Sequence, residues 1–189
     1  VTECTITFES AASVCDIFAY GKGKLPDNVQ VWEKPCTDAD ILVFSTHADD
    51  EILFLGGVLA TYAGQQGLNV QVAYMTNYWN GATVREHEKL DGLWESGVKH
   101  YPVNGDFDDI YATDLNGAMS VYSYDDVLGY VTEQIRRFKP LVVVTQDING
   151  EYGHGGHMLL AKAVCEAADN SGTASFKQES ADKYGAWDV

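Results

Sequence analysis

Ile41-Leu42-Val43-Phe44-Ser45-Thr46-His47-Ala48-Asp49-Asp50-Glu51 decides how the rest of this chain is read. Its first four residues are continuously apolar and follow the polar Thr37-Asp38-Ala39-Asp40, which is the pattern of a buried strand. The acids that follow are those of a helix start, so a strand passes directly into a helix with a histidine between them. Outward from this unit the alternation repeats. Asp50 to about Gln65 reads as a helix, Asn69 to Met75 as a second strand, and Thr83 to about Ser96 as a helix carrying Leu90, Leu93 and Trp94 on one face. Val98 to Val103 reads as a third strand, followed by a loop rich in Asp, Asn and Gly. Asp125 to Phe138 is a helix with acids first and Arg136, Arg137 and Lys139 last, the order that suits the helix dipole, and Pro140 stops it. Leu141 to Thr145 is the most strand-like run, and Gly156 to about Ala168 the last helix. The expectation is an α/β domain: a three-layer, Rossmann-like, mainly parallel sheet with helices on both faces. In such sheets ligands sit beyond the carboxyl ends of the strands. Residues 1–36 fit this pattern less well and are expected to be a linker or small appendage, leaving 37–189 as the main domain.

Composition limits the partners. The 189 residues include 12 Lys and Arg against 28 Asp and Glu, a formal net charge of −16. Such a chain repels the phosphates of nucleic acids and an anionic bilayer surface. No apolar run reaches the length of about 18 residues that a membrane-spanning helix needs, so no membrane insertion is expected. A neutral or amine-bearing ligand, a sugar or a cation remains. Cys4, Cys15, Cys36 and Cys165 lack both the C-x-x-C spacing of a zinc ribbon and the density of a disulfide scaffold. Three of them fall in the first 36 residues, where a bridge and free thiols are both open. Those cysteines and the absence of an initiator Met give the expectation of a secreted or cell-envelope protein of bacterial type, with a cytoplasmic location as the alternative. The sequence does not specify an oligomeric state.

Two clusters stand directly after predicted strands, and they hold three of the five histidines. The first is Ser45 to Glu51; the second is Asn149-Gly150-Glu151-Tyr152-Gly153-His154-Gly155-Gly156-His157. A divalent metal needs neutral imidazoles and ionised carboxylates converging from separate elements, and catalysis needs an open position for water. His47 and Asp50 lie three residues apart across a strand-to-helix turn, and His157 in the first turn of a distant helix supplies a third ligand. Two histidines and one carboxylate suit zinc, and non-haem iron also tolerates them. Asp49, next to Asp50 but directed elsewhere, can take a proton from an activated water. Taken alone, the Asp49-Asp50-Glu51 run reads more readily as helix capping and dipole stabilisation than as a metal site. His87 and His100 have no companions and read as structural.

Thr46-His47-Ala48-Asp49-Asp50-Glu51 resembles the A-H-P-D-D-E motif of the PIG-L/LmbE family of zinc-dependent de-N-acetylases, and Gly153-His154-Gly155-Gly156-His157 resembles its later H-x-x-H. The resemblance covers about residues 40–170 and implies an LmbE-like fold over 37–189 and removal of acetyl from an N-acetylglucosamine-type sugar or glycan. It implies Zn2+, with Fe2+ or another divalent metal as the alternative, on His47, Asp50 and His157. It also implies Asp49 as general base and His154, protonated, as the group that stabilises the oxyanion or protonates the amine. Asp147 can keep His154 protonated, or serve only as a loop cap. Arg85 and Glu88 resemble the family's sugar-gripping R-x-x-E, against the alternative of a surface ion pair. Tyr152 can swing over the site, and Tyr78-Trp79-Asn80 and Phe107 can stack on a sugar ring or simply pack.

Two departures stand out. Ala48 replaces the usual Pro, and Gly156 stands where many relatives carry Asp, so an orienting partner for His154 must come from Asp147 or Glu151. Relatives also continue beyond Val189 with a further strand, so a fragment of a longer protein is expected. The rival readings are a carbohydrate-binding or scaffold module with a vestigial metal site, and an amidase acting on another acylated amine such as a thiol-sugar conjugate.

Overall fold

The computed structural model describes residues 3–12, 14, 17–77 and 83–189. They divide into two compact units, Val1–Gln30 and Val31–Val189. The first contains no helix or strand among its described residues.

Four strands, β1 (Ile41–Ser45), β2 (Val70–Thr76), β3 (Val103–Phe107) and β4 (Val142–Val144), form one parallel sheet in the order β3-β2-β1-β4. Register pairs Ile41 with both Val70 and Val142. All residues of β1 and β2 are buried, because helices cover both faces. On one face Leu42, Phe44, Ala73 and Met75 pack against α4 (Leu115–Val121), α5 (Tyr124–Phe138) and α6 (Gly155–Asn170). On the other, Ile41, Val43, Val70, Val72 and Tyr74 meet Leu55, Leu59, Ala63 and Leu93. The expected three-layer α/β architecture is therefore present. The chain leaves β1 toward β2 on one side and returns to its other side as β4, which opens a crevice beyond the carboxyl ends of these two strands.

Several elements differ from the sequence expectation. The single helix over 50–65 is broken into α1 (Asp50–Leu53), α2 (Gly56–Leu59) and a π-helical stretch, Ala60–Gln65. Leu55, with φ −117° and ψ 4°, interrupts the helix just before Gly56-Gly57, a pair with poor helix propensity. Gly64 then lies against Gly97, which follows α3 (Thr83–Glu95), so closely that a Cβ on Gly97 would sit 2.3 Å from the Gly64 Cα. The third strand begins at Val103 instead of Val98 because Pro102 has no N–H to give a ladder. Val98 is core, and His100 forms an isolated bridge with Glu33. Helix α4 was expected to be loop; the Asp114 side chain caps it by accepting the Gly117 N–H. A last helix, α7 (Gln178–Tyr184), also lay outside the expectation.

Candidate active site

The crevice is a cleft of about 330 Å³ lined by residues that include His47, Asp49, Asp50, Asp109, Tyr152 and His154. Its floor is tied together by the strand ends. Gln146, beyond β4, accepts from the Thr46 N–H at 2.9 Å and from the Thr46 hydroxyl. Thr76, at the end of β2, donates its N–H and its hydroxyl to the Thr46 carbonyl. His47 therefore projects from a rigid point.

Three atoms converge there. Asp50 Oδ2 lies 2.9 Å from His47 Nδ1 and 3.1 Å from His157 Nε2, and the two nitrogens are 3.2 Å apart. Ligand atoms held at about 2.0–2.1 Å from a tetrahedral zinc lie about 3.3 Å from one another, so this triangle fits a divalent ion with little movement. The donor set, two imidazoles and a carboxylate, fits as well. His154 brings a third imidazole, with ring nitrogens of all three within 4.8 Å of one another. Burial alone would raise the pKa of Asp50, but hydrogen bonds from His157 and His47 outweigh it and hold the carboxylate below its ordinary range. Burial lowers the pKa of His157, and its hydrogen bonds to Asp50 and Glu151 reverse that and raise it.

Asp49 is half-exposed, with φ 132°, a backbone region that L-residues rarely adopt. Three bonds hold it there. Glu51 Oε2 accepts its N–H at 2.9 Å, and Arg85 Nη2 donates to the Ala48 carbonyl at 2.7 Å and to the Asp49 carboxylate at 2.9 Å. Burial and then the charge of Asp50 raise the Asp49 pKa, and Arg85 opposes them. Arg85 also pairs with Glu88; Arg85 lines the cleft and turns to Asp49, while Glu88 lines an adjoining pocket.

His154 is the N-cap of α6; its Nδ1 accepts the Gly156 N–H at 3.1 Å, which assigns the proton of the neutral ring to Nε2. Burial first, then the neighbouring imidazoles of His47 and His157, lower its pKa to about 4. These neighbours disfavour the protonated ring that the resemblance implies and favour a neutral one near pH 7. Asp147 does not reach it. Its carboxylate caps the turn by accepting the Asn149 N–H at 2.7 Å, the loop role that was its alternative reading. Glu151 orients a different histidine, accepting from His157 Nδ1 at 2.7 Å. Tyr152, 73% exposed with φ 45°, stands beside His154 and His157. Phe107 packs edge-on to Tyr122 and Tyr130, as core. Tyr78-Trp79-Asn80 and Cys15 lie outside the described residues. Cys4, Cys36 and Cys165 are free, and His100 bonds the Lys34 carbonyl away from the site.

Sequence reasoning did not assign Asp109, which lines the cleft 3.5 Å from His47 Nε2, nor Tyr111, whose exposed ring meets His154 at 5.1 Å. The available signal was their place in the acidic loop after the third strand, at the same sheet edge as both motifs.

A 1D-myo-inositol 2-acetamido-2-deoxy-alpha-D-glucopyranoside deacetylase 1 of Catenulispora acidiphila is 24% identical over 190 residues, covering 82% of this chain and 55% of that protein. A deacetylase of the same description from Mycobacteroides abscessus is 28% identical over 157 residues, covering 70% of this chain and 56% of that protein. The chain thus spans about half the length of these curated relatives. The fold matches that of the N,N'-diacetylchitobiose deacetylase from Pyrococcus horikoshii with a TM-score of 0.68 and 19% identity, over 80% of this chain and 58% of that one. The family model described as GlcNAc-PI de-N-acetylase matches residues 42–168, a span that contains both histidine clusters and, but for Ile41, every strand, and the chain belongs to this PIG-L family.

Proposed function

We propose that the protein is a metal-dependent hydrolase that removes the N-acetyl group from an N-acetylglucosamine-type sugar or glycan. The observation that carries this reading is the convergence of His47 Nδ1, Asp50 Oδ2 and His157 Nε2 beside Asp49 and His154 in one cleft. The relatives' descriptions as deacetylases of a 2-acetamido sugar support it. His47, Asp50 and His157 would hold the cation, for which Zn2+ is the proposed identity and Fe2+ the alternative. A divalent cation in such a site lowers the pKa of water and polarises an amide carbonyl.

The chain's residues supply the rest. Asp49, held by Arg85 and with its pKa raised by burial, takes one proton from the water that adds to the acetamide carbon. His154, neutral with its proton on Nε2, donates a hydrogen bond to the developing oxyanion without giving that proton up. When the C–N bond breaks, the proton held by Asp49 passes to the amine, the water's second proton leaves on the new carboxyl group and ionises to solvent, and acetate and the free amino sugar are released. Tyr152 at the mouth, Arg85 at the wall and Glu88, paired to Arg85, are the proposed sugar contacts. Nothing in the geometry favours a vestigial site, since each ligand type is in place.

The test is release of free amine from N-acetylglucosamine, from its β-linked disaccharide and from an N-acetylglucosaminyl inositol, with Zn2+ supplied. Wild type is expected to release amine from at least one, and Asp49→Asn to fall by about 10²–10⁴-fold. Equal rates in the two proteins overturn the mechanism.

A further inference from the structure

The two histidines that face Asp50 have their outer nitrogens turned to carboxylates. His157 Nδ1 meets Glu151 Oε2 at 2.7 Å, and His47 Nε2 meets Asp109 Oδ1 at 3.5 Å. The first arrangement is built. His157 is fully buried, and the Glu151 carboxylate is 16% exposed. Its second oxygen, Oε1, accepts the Asp147 N–H at 3.0 Å, so the carboxylate is fixed at both ends. The backbone that delivers it is unusual: Gly150, Tyr152 and Gly153, on either side of Glu151, all have positive φ, at 69°, 45° and 78°. A Cβ on Gly150 would lie 2.6 Å from the His154 carbonyl, so the turn requires glycine there.

We infer that Glu151 is the positioning residue for the proposed metal site: it holds the Nδ1 proton of His157, fixes the ring's tautomer, and leaves the Nε2 lone pair aimed at the point shared with Asp50 and His47. This inference rests on the metal reading of that triangle. A carboxylate behind a ligating imidazole raises its basicity and orients it, and losing such a partner weakens metal affinity about 10–100-fold. The carboxylate comes from the turn before α6. The next helical position, Gly156, has no side chain to provide one, and a Cβ there would sit 3.2 Å from the His154 ring. Asp109 faces His47 Nε2 at 3.5 Å without a hydrogen bond and with its side chain 29% exposed, so its effect on that ring is smaller.

The experiment measures Zn2+ affinity by competition with a chromophoric chelator for wild type, Glu151→Gln, Glu151→Ala and Asp109→Asn, together with the visible d–d spectrum of the Co2+-loaded forms. Melting of the metal-free forms checks folding, and the near-isosteric Glu151→Gln carries the test if the alanine variant fails to fold. The expected result is a loss of about 10–100-fold in Zn2+ affinity for Glu151→Ala, a smaller loss for Glu151→Gln and the smallest for Asp109→Asn, with a shifted cobalt spectrum in both Glu151 variants. Zinc affinity within twofold of wild type and an unchanged cobalt spectrum in the folded Glu151 variants overturn the inference. A wild type that binds neither ion overturns the metal reading and this inference with it. A wild type that binds Zn2+ but releases no amine, while the Glu151 variants lose affinity as stated, supports the inference and overturns only the proposed activity.

Discussion

Arg85 donates to the Asp49 carboxylate at 2.9 Å, and the same nitrogen holds the Ala48 carbonyl at 2.7 Å. The guanidinium thus spans the turn in which Asp49 adopts φ 132°. If Arg85 orients the base, Arg85→Met lowers kcat, and a displacement on the order of 1 Å in a reacting group corresponds to about 10²-fold. Steady-state kinetics on the best acetamido sugar check this. A higher KM with unchanged kcat would assign Arg85 to sugar binding alone.

What the sequence discloses depends on how local the cause is. β1 is legible because burial on both faces demands an unbroken apolar run, and Leu42 and Val43 serve opposite layers; β4, a half-exposed edge strand, is legible from its β-branched run alone. The approach of His47, Asp50 and His157 is legible because strand-to-helix turns at one sheet edge face one crevice. The break near Leu55 and the start of β3 after Pro102 rest on single punctuating residues, Gly56-Gly57 and Pro102, which the apolar periodicity of the flanking segments does not reveal. The partner of Glu151 is equally hidden, since a turn of positive-φ residues aims its carboxylate at His157 and away from His154. Asp109 reaches His47 across the span from the first motif to the acidic loop, a separation that no spacing rule anticipates.

Metal removal is predicted to act on stability as well as rate. The three ligands join the loop after β1, the start of α1 and the start of α6, so an ion bound to the native fold stabilises it by mass action. At a free concentration 100 times Kd the gain is about 2.7 kcal/mol, or roughly 5–10 °C in melting temperature for a domain of this size. Calorimetric scans with and without Zn2+ are expected to show that shift in wild type and to lose it in His157→Ala. An equal shift in both proteins would place the ion elsewhere.

Cys36 is 8% exposed, and burial pushes its thiol pKa up to about 12, whereas Cys4 and Cys165 are exposed. A thiol-specific disulfide reagent at pH 8 is expected to label Cys4 and Cys165 promptly and Cys36 only on unfolding. Because the folded pKa lies above the unfolded value of about 8.5, the Cys36 contribution to stability is complete below that pH and is lost as pH rises toward 12. The slope is about 1.4 kcal/mol per pH unit within that window. Cys36→Ala should flatten urea-unfolding free energies between pH 9 and 10.5 by about that slope, and an unchanged slope would contradict the assignment.

Arg136 is fully buried near the end of α5, and all the acceptors it donates to are neutral: the Ser171 carbonyl at 3.1 Å, Lys177 carbonyl at 2.8 Å, Thr173 carbonyl at 2.9 Å and Ser180 hydroxyl at 2.7 Å. These four groups span the connection from α6 to α7, so one guanidinium fixes a segment with little regular structure of its own. Burial lowers its pKa, yet a guanidinium stays charged at any working pH. Arg136→Met fills similar volume but leaves those acceptors without their donor, and a loss of about 3–5 kcal/mol in unfolding free energy is expected. Arg136→Lys keeps the charge but cannot form the same fork of bonds, so it should fall between the two. Urea denaturation gives the magnitude, and limited proteolysis gives the location: faster cleavage within residues 171–184 of the methionine variant is the signature of a released connection. A variant within 1 kcal/mol of wild type and equally resistant to protease would show that α7 holds its place through other contacts.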